Sequence, residues 1–105
     1  MNDLNSVLIE GRVKGEPKLS YSSHGTPICH FSIKSKRCHR VDDKYQEKVH
    51  TFDVVVVSQL AERCMEYLRK DKGIRIVGRL ESDEDSIITI IQAEHVEFKP
   101  EPKKG

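Results

Sequence analysis

The sequence has no long apolar run, no excess of charge of either sign, no tryptophan and only three cysteines. No stretch approaches the roughly 18 consecutive apolar residues of a membrane-spanning helix. Met1 to Ser6 is polar where a secretory leader would be basic and then apolar. A cytoplasmic protein with no membrane partner is therefore expected. With 18 Lys+Arg against 17 Asp+Glu the formal net charge is +1, so overall charge argues for no polyanionic partner, and any such case rests on local charge. Cys29, Cys38 and Cys64 form an odd set that cannot pair completely within the chain and suits a reducing compartment. Free thiols are expected, buried at Cys29 and in a loop at Cys38. The repeated pairs Cys29-His30 and Cys38-His39 lack the CxxC and HxxxH spacings of structural zinc sites, so neither a metal nor another cofactor is expected.

Catalytic patterns are missing too. His24, His30, His39, His50 and His95 are scattered, no nucleophile elbow or phosphate-cradling glycine loop occurs, and Asp42-Asp43 lies in a charged, solvated stretch. The chain reads as a binding or structural module and not as an enzyme.

What is present is alternation. The 105 residues suffice for one core. Val7, Ile9, Gly11 and Val13 alternate with Leu8, Glu10, Arg12 and Lys14, the two-residue period of a half-buried strand. Gly15-Glu16-Pro17 is expected to break it, with a short extended piece holding Leu19 and Tyr21 before a turn at residues 22–27. Cys29, Phe31 and Ile33 alternate with His30, Ser32, Lys34 and Lys36 in a second strand. Arg37 to Lys48 has no periodic apolar content and reads as a long exposed loop. Val49 to Val57, with four consecutive valines, is a third strand. Ser58 is a candidate cap for an amphipathic helix whose stripe is Leu60, Ala61, Cys64, Met65 and Leu68 and whose end falls near Lys72. Residues 74–80 and 87–98 give strands four and five, separated by an acidic turn at Ser82–Ser86.

Three strands, one helix and two strands make a mainly all-β chain. A small twisted sheet of this order hides its edges by closing into the five-stranded oligonucleotide/oligosaccharide-binding (OB) barrel, with the helix between strands three and four. An open α+β sheet is the alternative. Gly11 and Gly78 inside strands fit the bends of a barrel. Phe31, Phe52 and Phe98 share parity with apolar neighbours and are expected in the core. Residues 1–98 form the expected domain, and 99–105 a short polar tail.

Asn2-Asp3-Leu4-Asn5 followed by Val7-Leu8-Ile9-Glu10-Gly11-Arg12-Val13 resembles the opening of bacterial single-stranded DNA-binding proteins, and five further segments follow in the family's order. They are Gly25 to Ile33; Phe52 to Val56; Leu60-Ala61-Glu62 with Glu66-Tyr67-Leu68; Gly73 to Leu80; and Ala93-Glu94-His95-Val96. The resemblance spans nearly all of residues 2–98. It implies a barrel that assembles into a homo-oligomer, dimer or tetramer, partly through first strands. It further implies binding of single-stranded DNA by backbone charge and base stacking in replication, repair or recombination, a nucleoid location, and replication proteins as partners. The departures lie in the rings, which make up only 6% of the chain. Thr51 and Val57 stand where the resemblance leads one to expect rings, and at a third such place His39 alone keeps a flat surface. The sequence closes on Lys103-Lys104-Gly105, so no acidic, partner-recruiting tip is expected.

Residues 34–48 carry Lys34, Lys36, Arg37, Arg40, Lys44 and Lys48 against Asp42, Asp43 and Glu47. A solvated charged hairpin is the ordinary reading of such a stretch, and the resemblance turns it toward phosphate contact. Arg12, Arg75 and Arg79 fall on the polar faces of their strands. The expected contact set is therefore Arg12, Lys34, Lys36, Arg37, Arg40, Lys44, Arg75 and Arg79 for phosphates, with His39 and Tyr45 together as a stacking surface. Glu81, Asp83, Glu84 and Asp85 should repel a phosphate chain. Two other functions fit the same fold: an assembly factor resembling the primosomal replication protein B group, which holds both single strand and protein, and a structural oligomer that has lost DNA binding.

Overall fold

β-branched residues crowd the backbone of a helix and suit a pleated sheet, and five such stretches fold here into one sheet. The computed structural model describes residues 2–85 and 87–100. The strands are β1 (Val7–Tyr21), β2 (Pro27–Val41), β3 (Lys44–Val57), β4 (Gly73–Glu81) and β5 (Ile90–Phe98), with the helix α1 (Ser58–Tyr67) between β3 and β4. They form a closed barrel in the order β1-β2-β3-β5-β4, the OB arrangement expected from the element order.

Closure depends on β1 serving two neighbours. Its first part, Val7 to Arg12, pairs antiparallel with β4, and from Arg12 onward it pairs with β2. Gly11 sits at this changeover, where a Cβ would collide with the carbonyl of Lys34. Gly78 sits at a register shift between β4 and β5, where a Cβ would strike the carbonyl of Gln92. Both glycines are needed for close backbone approach. A short parallel pairing of Val54 with Ile91 and Val55 with Gln92 joins β3 to β5.

Several expected boundaries move. β1 does not break at Gly15-Glu16-Pro17. Gly15 adopts φ 74°, and the ladder shifts register between Lys14 and Lys18, so a bulge absorbs the extra chain and pairing resumes. Residues 37–48 are not a loop. β2 and β3 stay paired from Arg37↔Lys48 to Val41↔Lys44, and Asp42 and Asp43, at φ 50° and 63°, close the hairpin. Every residue from 36 to 53 is exposed. Apolar alternation records burial and not pairing, so this projecting arm left no trace of it.

Ser58 does not cap the helix: the cap position is Val57, with no side-chain hydrogen bond. The helix ends at Tyr67, since Leu68 turns extended to bury its side chain, with 1% exposed. Arg69 lies beyond the helix yet donates from Nη1 to the Glu66 and Leu68 carbonyls at 3.1 and 2.9 Å. β5 starts at Ile90, leaving Ile87 and Ile88 exposed. The acidic turn is described as far as Asp85; Ser86 lies outside the described residues, as do residues 101–105 of the expected tail. Lys99 belongs to the barrel, donating its N–H to the Gly73 carbonyl at 3.0 Å.

The core gathers Val13, Cys29, Phe31, Ile33, Val54, Val56, Ala61, Cys64, Leu68, Ile74, Ile76, Ile91, Ala93 and Val96. Phe98 packs on its edge against the Tyr67 ring, centroids 5.6 Å apart. Phe52 is not core: despite its parity it sits where the arm leaves the barrel and is 40% exposed. Cys29 and Cys64 are buried free thiols, and desolvation pushes them up to about 11 and about 12. Cys38 is exposed, on the arm strand and not in a loop. Among the described residues no helix is long and apolar enough to cross a membrane.

Candidate nucleic-acid interface

The two-residue period of β2 divides its side chains. Cys29, Phe31 and Ile33 enter the core, which leaves His30, Ser32, Lys34 and Lys36 on the outer surface. Residues directly opposite across a ladder share a side. Lys18 therefore stands beside His30, Lys14 beside Ser32 and Arg12 beside Lys34. On the β3 edge Val55, Asp53, Thr51 and Val49 flank the same row. Two shallow clefts cross this surface. One, of about 540 Å³, is lined by Glu10, Arg12, Lys34, Lys36, Glu47, Val49 and Lys99. The other, of about 590 Å³, is lined by Lys14, Lys18, His30, Ser32, Asp53, Val55 and Ile90.

The first cleft is rich in ion pairs. Lys34 Nζ lies 2.9 Å from Asp71 Oδ1, and Arg12 Nη1 donates to the main-chain oxygen of Asp71 at 2.9 Å. Lys36 Nζ lies 3.2 Å from Glu47 Oε1. Glu10 accepts from Arg75 Nη2 at 2.9 Å and pairs with Lys99. The hydrogen bond from Lys34 holds the Asp71 carboxyl below its ordinary value, and those from Lys99 and Arg75 do the same for Glu10. Hydrogen bonding to Glu10 in turn raises Arg75.

The arm has a second face of different character. By register it carries Arg37 opposite Lys48, His39 opposite Gln46, Val41 opposite Lys44 and Ser35 opposite His50. Arg37 and Lys48 are like charges in direct cross-strand register, an arrangement that costs stability. Among the described residues Arg37, Lys44 and Lys48 take part in no ion pair. At the arm's root the rings of His50 and Phe52 stack, with centroids 6.4 Å apart and planes 22° apart.

The residues expected from sequence fall into three groups. Arg12, Lys34, Lys36, Arg40 and Tyr45 share the outer parity of β1, β2 and β3. Arg37, His39 and Lys44 lie on the opposite face of the arm. His39 and Tyr45 therefore do not form one stacking surface: the register sets His39 against Gln46 and Tyr45 against Arg40, on opposite faces. Arg75 and Arg79 lie on β4, across β1 from this surface, and each is held between two carboxylates. Arg75 meets Glu10 and Glu97 at 2.9 and 3.8 Å, and Arg79 meets Glu81 and Glu94 at 2.6 and 3.6 Å. Lys14, Lys18 and His50 were not singled out from sequence, and Lys48, counted among the cations of residues 34–48, was left out of the expected contact set. Lys14 was legible from the alternation with Val13. Lys18 keeps the outer parity of Lys14 across the bulge and was hidden by the expected break at Gly15-Glu16-Pro17, and Lys48 and His50 gain meaning only from the arm register.

Residues 4–98 match the single-strand binding protein family. Over 80 residues the chain is 34% identical to a protein named single-stranded DNA-binding protein from Borreliella burgdorferi, covering 76% of this chain and 54% of that one. It is 32% identical to single-stranded DNA-binding protein 2 of Chlorobaculum tepidum, covering 100% of this chain and 77% of the relative. The chain spans about half the length of the Borreliella and Treponema relatives, 54% and 46%. Among solved structures, the SSB of Plasmodium falciparum in complex with ssDNA superposes with TM-score 0.83 at 22% identity, covering 95% of this chain and 98% of that one. A deletion mutant of the Thermus aquaticus single-stranded DNA binding protein gives 0.80 at 21%, covering 92% and 51%. These two likenesses concern the fold. The relatives' names do not favour the primosomal alternative.

Proposed function

The chain belongs to the single-strand binding protein family, and on that premise we propose that it binds single-stranded DNA with little sequence preference and catalyses nothing. Residues 1–98 are the binding unit in this reading. The observation that carries it is the outer row of β2, where Lys34 and Lys36 run beside Arg12, Lys14 and Lys18 of β1 on one curved sheet. Such a row suits the phosphates of a flexible strand, whose spacing can follow the sheet where a rigid duplex cannot. Arg37, Lys44 and Lys48 extend the positive surface to the arm's other face.

Stacking falls to Tyr45 on the outer side, and to His39 and the His50–Phe52 pair on the other. Thr51 and Val57 offer no ring. At about 1–3 kcal/mol per stacked base, losing two platforms weakens binding on the order of a hundredfold. Arg40 lies near the arm tip, held 3.2 Å from Asp43. Arg75 and Arg79, already held by carboxylates, contribute little. Assembly into a dimer or tetramer through β1 is supported by Leu8, 72% exposed and paired beside Val77 on the outer surface. A place on the nucleoid, in replication, repair or recombination alongside replication proteins, follows from the same reading.

The test is anisotropy titration of a fluorescent oligothymidine and of a duplex of equal length. Wild type should bind the single strand more tightly. Lys34→Glu with Lys36→Glu should weaken it about tenfold or more, two phosphate contacts being lost. No anisotropy change at low salt, or equal affinity for the duplex, would overturn the reading.

A further inference from the structure

The cations of the first cleft do not stand free, and this bears on how strongly the proposed surface can hold a strand. Arg12 and Lys34 are directly opposite across β1 and β2, and the repulsion between them is met by one residue, Asp71, which gives its carboxylate to Lys34 and its main-chain oxygen to Arg12. Asp71 is itself fixed. Its N–H donates to the Val13 carbonyl at 2.8 Å, and the Val13 N–H donates to the Lys72 carbonyl at 2.9 Å. The turn after α1 is thus fastened to β1, with Asp71 in the left-handed region at φ 69°. Farther out, Glu47 of β3 reaches diagonally across the ladder to Lys36. All four side chains keep 37% to 61% of their surface in solvent, so another anion can reach either lysine.

We infer that Asp71 and Glu47 are built-in competitors of the nucleic-acid backbone, holding Lys34 and Lys36 in the places phosphates would take and setting the affinity of the face. This inference rests on the proposed single-strand binding. A phosphate arriving at Lys34 or Lys36 must displace a carboxylate, which returns to water and attracts a counterion of its own. The exchange therefore releases fewer net ions than a contact with a free cation. Arg37 and Lys48, opposed and unpaired, are the contrary case: a phosphate between them relieves a repulsion.

The test compares Asp71→Asn/Glu47→Gln with wild type in oligothymidine titrations across a range of salt. Asparagine tolerates the left-handed conformation and keeps the main-chain oxygen for Arg12. Glu62→Gln/Glu66→Gln serves as a control, removing the same two negative charges from the exposed side of α1. The first double variant should bind roughly fivefold more tightly. Its dependence of log affinity on log salt should steepen by about 0.7 for each freed lysine. The control should stay within about twofold of wild type, since among the described residues neither glutamate forms an ion pair with a cation of the cleft. If Asp71→Asn/Glu47→Gln binds no more tightly than the control, or binds less tightly with a lowered melting temperature, the two acids are structural partners and the inference fails. If wild type itself ignores oligothymidine, the underlying reading falls instead.

Discussion

Gly11→Ala tests whether barrel closure and the candidate surface are physically one feature. A Cβ at Gly11 would overlap the Lys34 oxygen, 3.0 Å from its carbonyl carbon and 3.2 Å from Ile33 Cγ1. The clashing carbonyl belongs to a β2 residue that is in register with Arg12 on one side and Thr51 on the other, so it cannot swing aside without loosening ladder contacts. Overpacking of this kind costs about 1–3 kcal/mol. Replacing glycine by alanine returns about 0.4–1 kcal/mol through the unfolded state. The net loss is about 1–2 kcal/mol, a fall in melting temperature of roughly 5–15 °C for a domain of this size. Because the displaced residue is Lys34, binding of oligothymidine should weaken as well. Gly73→Ala is the control: its Cβ would meet the Lys99 side chain at an ordinary 3.4 Å. Thermal unfolding by circular dichroism reads both. A Gly11→Ala protein melting with wild type would show that β1 is not held against β2 as described.

Native protein should titrate one thiol, Cys38, with a disulfide reagent and all three once unfolded, since Cys29 and Cys64 are buried and their thiols are pushed up to about 11 and about 12; three fast thiols in the native state would contradict the core. Glu10 and Asp71 are held below their ordinary 4.5 and 3.8, so the stability each contributes is present above those values and lost as pH falls through the lower folded ones. Melting temperature against pH should accordingly be flatter below 4.5 in Glu10→Gln/Asp71→Asn than in wild type, and identical curves would count against the ion pairs. Tyr45 is 80% exposed, so Tyr45→Ala should leave the melting temperature alone while weakening oligothymidine binding about fivefold or more, with Tyr45→Phe near wild type. Equal loss in both variants would deny a stacking role.

The barrel was legible because its strands are half-buried, and burial writes itself as alternation: Val13, Cys29, Phe31, Ile33, Val54, Val56, Ile74 and Ile76 all reach the core. Where neither side is buried the same signal vanishes, and so the arm from Arg37 to Lys48 read as a loop although it is fully paired. The expected break at Gly15-Glu16-Pro17 hid Lys18, because a bulge carries β1 past residues that read as a stop. The candidate cations were visible as residue types, but their grouping was not. Whether Arg37 accompanies Lys34 or opposes it depends on β2 running unbroken through both, and whether Arg75 stands free depends on Glu10, sixty-five positions away. Phe52 shows the converse error, since parity continues along β3 after the core has ended.

The most direct test of the account is the slope of log affinity against log salt for oligothymidine, measured for wild type and for Arg37→Ala/Lys48→Ala. Wild type should fall steeply, by about 0.7 per phosphate contact, and the variant's slope should be shallower by about 1.4. Affinity that does not change with salt, or a slope untouched by removing both cations, would contradict the claim that this sheet and its arm follow a single strand through its phosphates.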